Sequence, residues 1–159
     1  MKLFHRWLGG MAAALLAIAL HPAHAAGTVE VRWIEPPRYA DAGRSAADRE
    51  RTLQALADHL QSRGAWLPTG QTLRLEVTDV DLAGDIEPWG WQELRVLRGR
   101  ADWPRMTLRY ALSAGGSTLK AADVQLSDMA YASRRHNQTL GAEQHMLDQW
   151  LRTEFTPAH

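Results

Sequence analysis

Four acidic side chains, Asp79, Asp81, Asp85 and Glu87, fall within a span of nine residues. Carboxylate oxygens at that density suit calcium or magnesium, and an ion so held would make a metal-dependent hydrolase or a small-ligand binder. On an extended chain Asp79 and Asp81 share one face about 7 Å apart, so chelation by Asp79, Asp81 and Asp85 requires the chain to curl, which Gly84 permits. Set against a calcium loop, Asp79, Asp81 and Gly84 take the first, third and sixth positions, but Ala83 stands fifth and Gly90 stands where the bidentate Glu belongs. The competing reading is that these carboxylates accept backbone N–H groups where a strand ends.

A second candidate is aromatic. Pro88-Trp89-Gly90-Trp91 places two indoles in a segment broken by Pro and Gly, which makes either a stacking surface for a glycan or partner protein, or a lid over the sheet. Arg134-Arg135-His136 is a basic run able to meet a carboxylate or phosphate. Trp89, Trp91, Arg134 and Arg135 are therefore the candidate partner-binding residues. His59, His136, His145 and His159 show no metal-ligand spacing and read as surface side chains. Nucleophile elbows, phosphate-binding glycine loops and dinucleotide fingerprints are all missing. Ser117 and Lys120 do spell S-x-x-K, but on a segment that reads as strand rather than the helical turn this chemistry needs. No catalytic residue is assigned, and no cofactor other than calcium or magnesium is considered.

The elements that must position these groups are legible from periodicity. Val29, Val31 and Trp33 alternate with charged residues as a first strand, which Pro36-Pro37 ends. Ser45 with Asp48 forms a capping box ahead of Leu53, Leu56, Ala57 and Leu60, the apolar stripe of a helix stopped by Gly64. Leu73, Leu75 and Val77 form a second strand, parallel to the first, and the one-residue slip to Val80 and Leu82 predicts a bulge or an exit from the sheet. From 81 to 104 the pattern is broken by Gly and Pro, leaving only Leu94, Val96 and Leu97 as a short edge strand. Met106 to Leu112 and Leu119 to Leu126 form a hairpin about Gly115-Gly116, and Leu140, Leu147, Trp150, Leu151 and Phe155 mark a closing helix. The order is β-α-β-β-β-α. The fold class is α+β: a two-layer sandwich with two helices on one face of a four-stranded sheet, five-stranded if the edge strand joins.

Residues 1–25 read as a cleaved signal peptide: Lys2 and Arg6, an apolar run from Leu8 to Leu20, then Ala23-His24-Ala25. The expected address is a bacterial periplasm, with residues 26–159 as one domain. The chain has no Cys, which removes a lipid anchor, disulfides and thiolate zinc sites together. Nor is there a second apolar stretch of the length a membrane span needs. Loss of Lys2 and Arg6 takes the formal charge from zero to −2, against a nucleic-acid partner.

Five segments carry a family resemblance: Tyr39-Ala40-Asp41-Ala42-Gly43, Leu67 to Leu73, Val77 to Asp85, Leu126-Ser127-Asp128-Met129 and Leu147-Asp148-Gln149-Trp150. Together they resemble the bacterial domain of unknown function DUF3016, a set of exported proteins. The resemblance implies secretion and supplies no activity, cofactor or catalytic residue. The order of elements is also similar to that of small envelope accessory lipoproteins, from which this chain departs in lacking the lipid-bearing Cys. The reading that follows is a non-enzymatic envelope module engaging a protein or glycan through the Trp89 to Trp91 segment and the free sheet face or edge. The metal-dependent reading is the alternative, and a chaperone-like module that caps exposed strands is a third.

Overall fold

The computed structural model describes residues 26–155 except 90, 91 and 137, and of 89, 92 and 93 it describes only the backbone. In chain order the elements are β1 (Thr28–Trp33), α1 (Ala46–Ser62), β2 (Gln71–Asp81), β3 (Asp85–Trp89), β4 (Gln92–Val96), β5 (Arg105–Ala114), β6 (Ser117–Ser127) and α2 (Gly141–Phe155). The main sheet has the order β1-β2-β5-β6, with β1 parallel to β2 and the other pairs antiparallel. Because β1 and β2 are parallel, the chain must cross the sheet between them, and α1 is that crossover.

One face of the sheet is apolar because the alternation of β1, β2 and β5 is kept in register, with Leu126 added from the end of β6. Val29 stands opposite Leu73, Leu73 opposite Leu112, and Leu75 opposite Tyr110. On this face Leu73, Leu75, Val77, Leu108 and Tyr110 are all at most 1 % exposed. The stripe Leu53, Leu56, Leu60 of α1 and the stripe Met146, Leu147, Leu151 of α2 cover them in a single cluster. The opposite face is solvated and laced by cross-strand ion pairs, Arg74 with Glu30 at 2.8 Å, Arg109 with Asp123 at 2.8 Å and Arg32 with Glu76 at 3.6 Å. Exposed pairs of this kind add little stability, but they mark that face as one that water already satisfies.

Several local expectations hold in detail. The capping box at α1 is formed, with the Asp48 N–H donating to Ser45 Oγ at 3.0 Å and the Ser45 N–H to Asp48 Oδ2 at 3.3 Å. The slip after Val77 is a register shift between Val77 and Asp79. The stop at Gly64 holds to within two residues, α1 ending at Ser62, while one expectation further along is corrected. The helix tightens into a 3-10 turn over Arg63–Trp66, and Gly64 is needed because a Cβ there would lie 2.4 Å from the Gly27 carbonyl oxygen. The segment around Leu94 and Val96 is not a fifth strand of the main sheet. It pairs with β3 as a separate two-stranded hairpin, Asp85 opposite Val96 and Trp89 opposite Gln92. Among the described residues no helix is long and apolar enough to cross a membrane.

Candidate functional site

A cleft with a volume of about 430 Å³ opens where the β3-β4 hairpin leaves the main sheet. Gly43, Leu82 and Ala83 of its wall are held in place by two segments zipped side by side. The Asp41 N–H donates to the Val80 carbonyl at 2.9 Å and the Leu82 N–H to the Asp41 carbonyl at 3.0 Å. The Ala40 N–H donates to Asp79 Oδ1 at 2.8 Å, and the Tyr39 hydroxyl to the Val77 carbonyl at 2.8 Å. Burial raises the Tyr39 hydroxyl to a pKa of about 12, so it stays a donor across the physiological range. Arg95 of β4 then bolts the hairpin to this wall. Its guanidinium donates to the Gly84 carbonyl at 2.8 Å and the Ala83 carbonyl at 3.3 Å, and reaches Asp41 Oδ2 at 2.8 Å. Gly84 has φ of 78°, and a Cβ there would sit 2.5 Å from the Val96 carbonyl oxygen, so only glycine lets the hairpin fold this closely over β2.

The far side of the cleft is the start of α2, and its central group is Glu143. That carboxylate is 4 % exposed and accepts the Ala83 N–H at 2.7 Å. Burial raises its pKa above the ordinary value near 4.5; the Ala83 bond and the nearby Arg95 and His136 side chains oppose the rise without cancelling it. Leu140, which precedes the helix, is held at φ of 66°, a left-handed conformation costly for a branched side chain, while its carbonyl accepts the Gln144 N–H at 2.9 Å. His136 completes the rim. Its ring stacks on buried Tyr131, with centroids 6.4 Å apart, and Nε2–H donates to the Tyr131 carbonyl at 2.8 Å. The cleft thus joins an apolar floor of Leu82, Ile86 and Leu97 to a few oriented polar groups, the composition expected of a binding pocket.

The structure separates the residues singled out from the sequence. Asp79 is engaged by Ala40, Asp81 pairs with Arg105 at 2.9 Å, Glu87 pairs with Arg98, and Asp85 opens β3 on the groove beside the cleft. Among the described residues no three His, Asp or Glu side chains converge as a metal site. The backbone of Trp89 pairs with Gln92 at the end of the hairpin, while the Trp89 side chain and the whole of Trp91 lie outside the described residues. Arg134 pairs with the buried Asp128 at 2.7 Å, and Arg135 stands exposed beside it. The expectation that His59 is a surface residue is corrected. Its side chain is 9 % exposed and lies 2.8 Å from Asp148, because the first and last helices meet there.

Glu143 and Arg95 were not among the residues chosen from the sequence. A signal for Glu143 existed: it precedes Met146 and Leu147 by three and four residues, so it sits on the buried stripe of α2. Arg95 gave no such signal, since its three acceptors come from two distant segments.

Fold and site together define a two-layer α+β protein whose appended hairpin builds a ligand-sized cleft at one end of the sheet. The family model described as a protein of unknown function, DUF3016, matches residues 27–153, and the chain belongs to that family. No curated protein and no solved structure matches it significantly.

Proposed function

We propose that this protein is a non-enzymatic binding module of the bacterial envelope, exported by the segment 1–25, and that it engages a macromolecular partner through the cleft and the β3-β4 hairpin. The observation that carries the reading is the cleft itself. It is a preformed concavity with an apolar floor that includes Leu97, 48 % exposed, and Leu94 of the same hairpin is 46 % exposed. The open face of the sheet offers no comparable surface, being covered by its own ion pairs. The hairpin strand β3 also ends on Trp89.

The test is site-specific photo-crosslinking in the cell that makes the protein, after fractionation. A photoreactive residue at Leu97 or Ile86 is expected to give a discrete adduct in the periplasmic fraction, and one at Arg109 on the open face is expected to give none. Equal labelling from both faces, or a protein retained in the cytoplasm with residues 1–25 uncut, would sink the proposal.

A further inference from the structure

Beyond His136, a second and more open concavity of about 300 Å³ adjoins the cleft and is lined largely by basic side chains. They come from three elements: His59 and Arg63 at the end of α1, Arg134, Arg135 and His136 in the connector, and His145 in α2. The acidic groups nearby are already satisfied. Asp148 accepts Arg63 through both oxygens, at 2.8 and 3.0 Å, and His59 at 2.8 Å, while Asp128 accepts Arg134 at 2.7 Å. Each acid therefore cancels one Arg. Arg135 makes no ion pair or hydrogen bond among the described residues, and neither does His145. The surplus is at least one full charge in a chain whose formal net charge is zero, and it lies on the lining of this concavity.

We propose that this concavity binds a phosphoryl group. A planar guanidinium at Arg135 and imidazoles at His136 and His145 approach from two elements, an arrangement that suits a tetrahedral dianion with several acceptor oxygens better than a planar carboxylate. The Gln144 amide, in the first turn of α2, adds a neutral donor to the same lining. The volume exceeds that of bare phosphate, which leaves room for the remainder of a phosphate ester. Arg63 and Arg134, neutralised by Asp148 and Asp128, form a fixed guanidinium wall, and Arg135 supplies the unmatched charge.

Calorimetric titration of the protein at low salt and neutral pH tests this, with inorganic phosphate, glucose 1-phosphate and acetate as probes. Saturable phosphate or glucose 1-phosphate binding is expected, with acetate at least tenfold weaker, and whichever phosphate binds more tightly identifies free anion or ester as the source. Arg135→Gln is expected to weaken binding about tenfold with an unchanged melting temperature, since Arg135 has no partner to lose. Arg109→Gln, which removes a positive charge from the open face, is expected to leave binding within twofold. No saturable binding, acetate binding equal to phosphate, or equal losses from the two Arg variants would overturn the proposal.

Discussion

Two carboxylates five residues apart on α2 meet opposite fates. Asp148 lies in the seam between the two helices. Burial pushes its carboxyl up, but the hydrogen bonds and charges of Arg63 and His59 outweigh burial and leave it below its ordinary value. Glu143 lies at the wall of the cleft, with one neutral N–H partner for its side chain, and burial wins. The seam is held by charges that neutralise each other locally, whereas the cleft is shaped by backbone contacts around a carboxyl that resists ionisation. Difference in function follows from that difference in electrostatics, because a seam whose charges are matched is structural while a cleft with an unmatched group is available to a ligand.

The largest effect should come from the seam. Asp148→Ala leaves Arg63 and His59 facing each other without an anion, and a loss of about 2–4 kcal/mol is expected in urea unfolding at neutral pH. A loss below about 1 kcal/mol would mean that the seam is held by packing alone. Gly84→Ala comes next. Its Cβ meets the Val96 carbonyl at a left-handed position, and about 2 kcal/mol of stability should go, with faster amide exchange in β4 than in β5. If β4 exchange is unchanged, the hairpin is not anchored at Gly84.

Glu143→Gln sharpens the comparison through pH. A carboxyl whose native pKa lies above its unfolded value stabilises below that unfolded value, and the contribution is lost as pH rises through the native value. Relative to Glu143→Gln, the wild-type protein should therefore lose about 1 kcal/mol as pH rises from 4 to 7, the conservative amide still accepting the Ala83 N–H. Asp148→Asn should show the opposite slope. Its advantage for the wild type is present above about 4 and lost as pH falls through the lowered native value. Parallel pH profiles for the two variants would break the contrast. The smallest effect is expected at Asp79. Asp79→Asn keeps an acceptor for the Ala40 N–H and should cost under about 1 kcal/mol. A melt in EDTA and then in calcium or magnesium should move by less than a degree; a metal-selective rise of several degrees lost in Asp79→Asn would instead establish a cation site there.

The comparison also shows where sequence reasoning reaches. The four strands of the main sheet, both helices, the capping box at Ser45 and the bulge after Val77 all follow from spacing, because each is set by residues within a few positions of one another. Three of the five segments carrying the family resemblance also find a structural sense. Tyr39 to Gly43 and Val77 to Asp85 zip together to support the cleft, and Asp148 belongs to the seam. The hairpin was read as an interrupted connection with one edge strand, since Pro88 within β3 and the glycines around it mask a two-residue alternation. His59 was misread because its own helix places it off the apolar stripe, and only the approach of α2 buries it.

The sequence by itself determined the fold class, the boundaries of the strong elements and the membership of a family, since periodicity, capping and turn chemistry act over a few residues and survive without their surroundings. The tertiary structure alone decided which charges are cancelled and which are not. The partners of Asp148, Glu143 and Arg95 lie between 11 and 89 positions away in the chain, as the 60-residue separation of Glu143 from Ala83 shows. Electrostatic environment depends on distance in space and on the water excluded by packing, and neither quantity is written in local spacing.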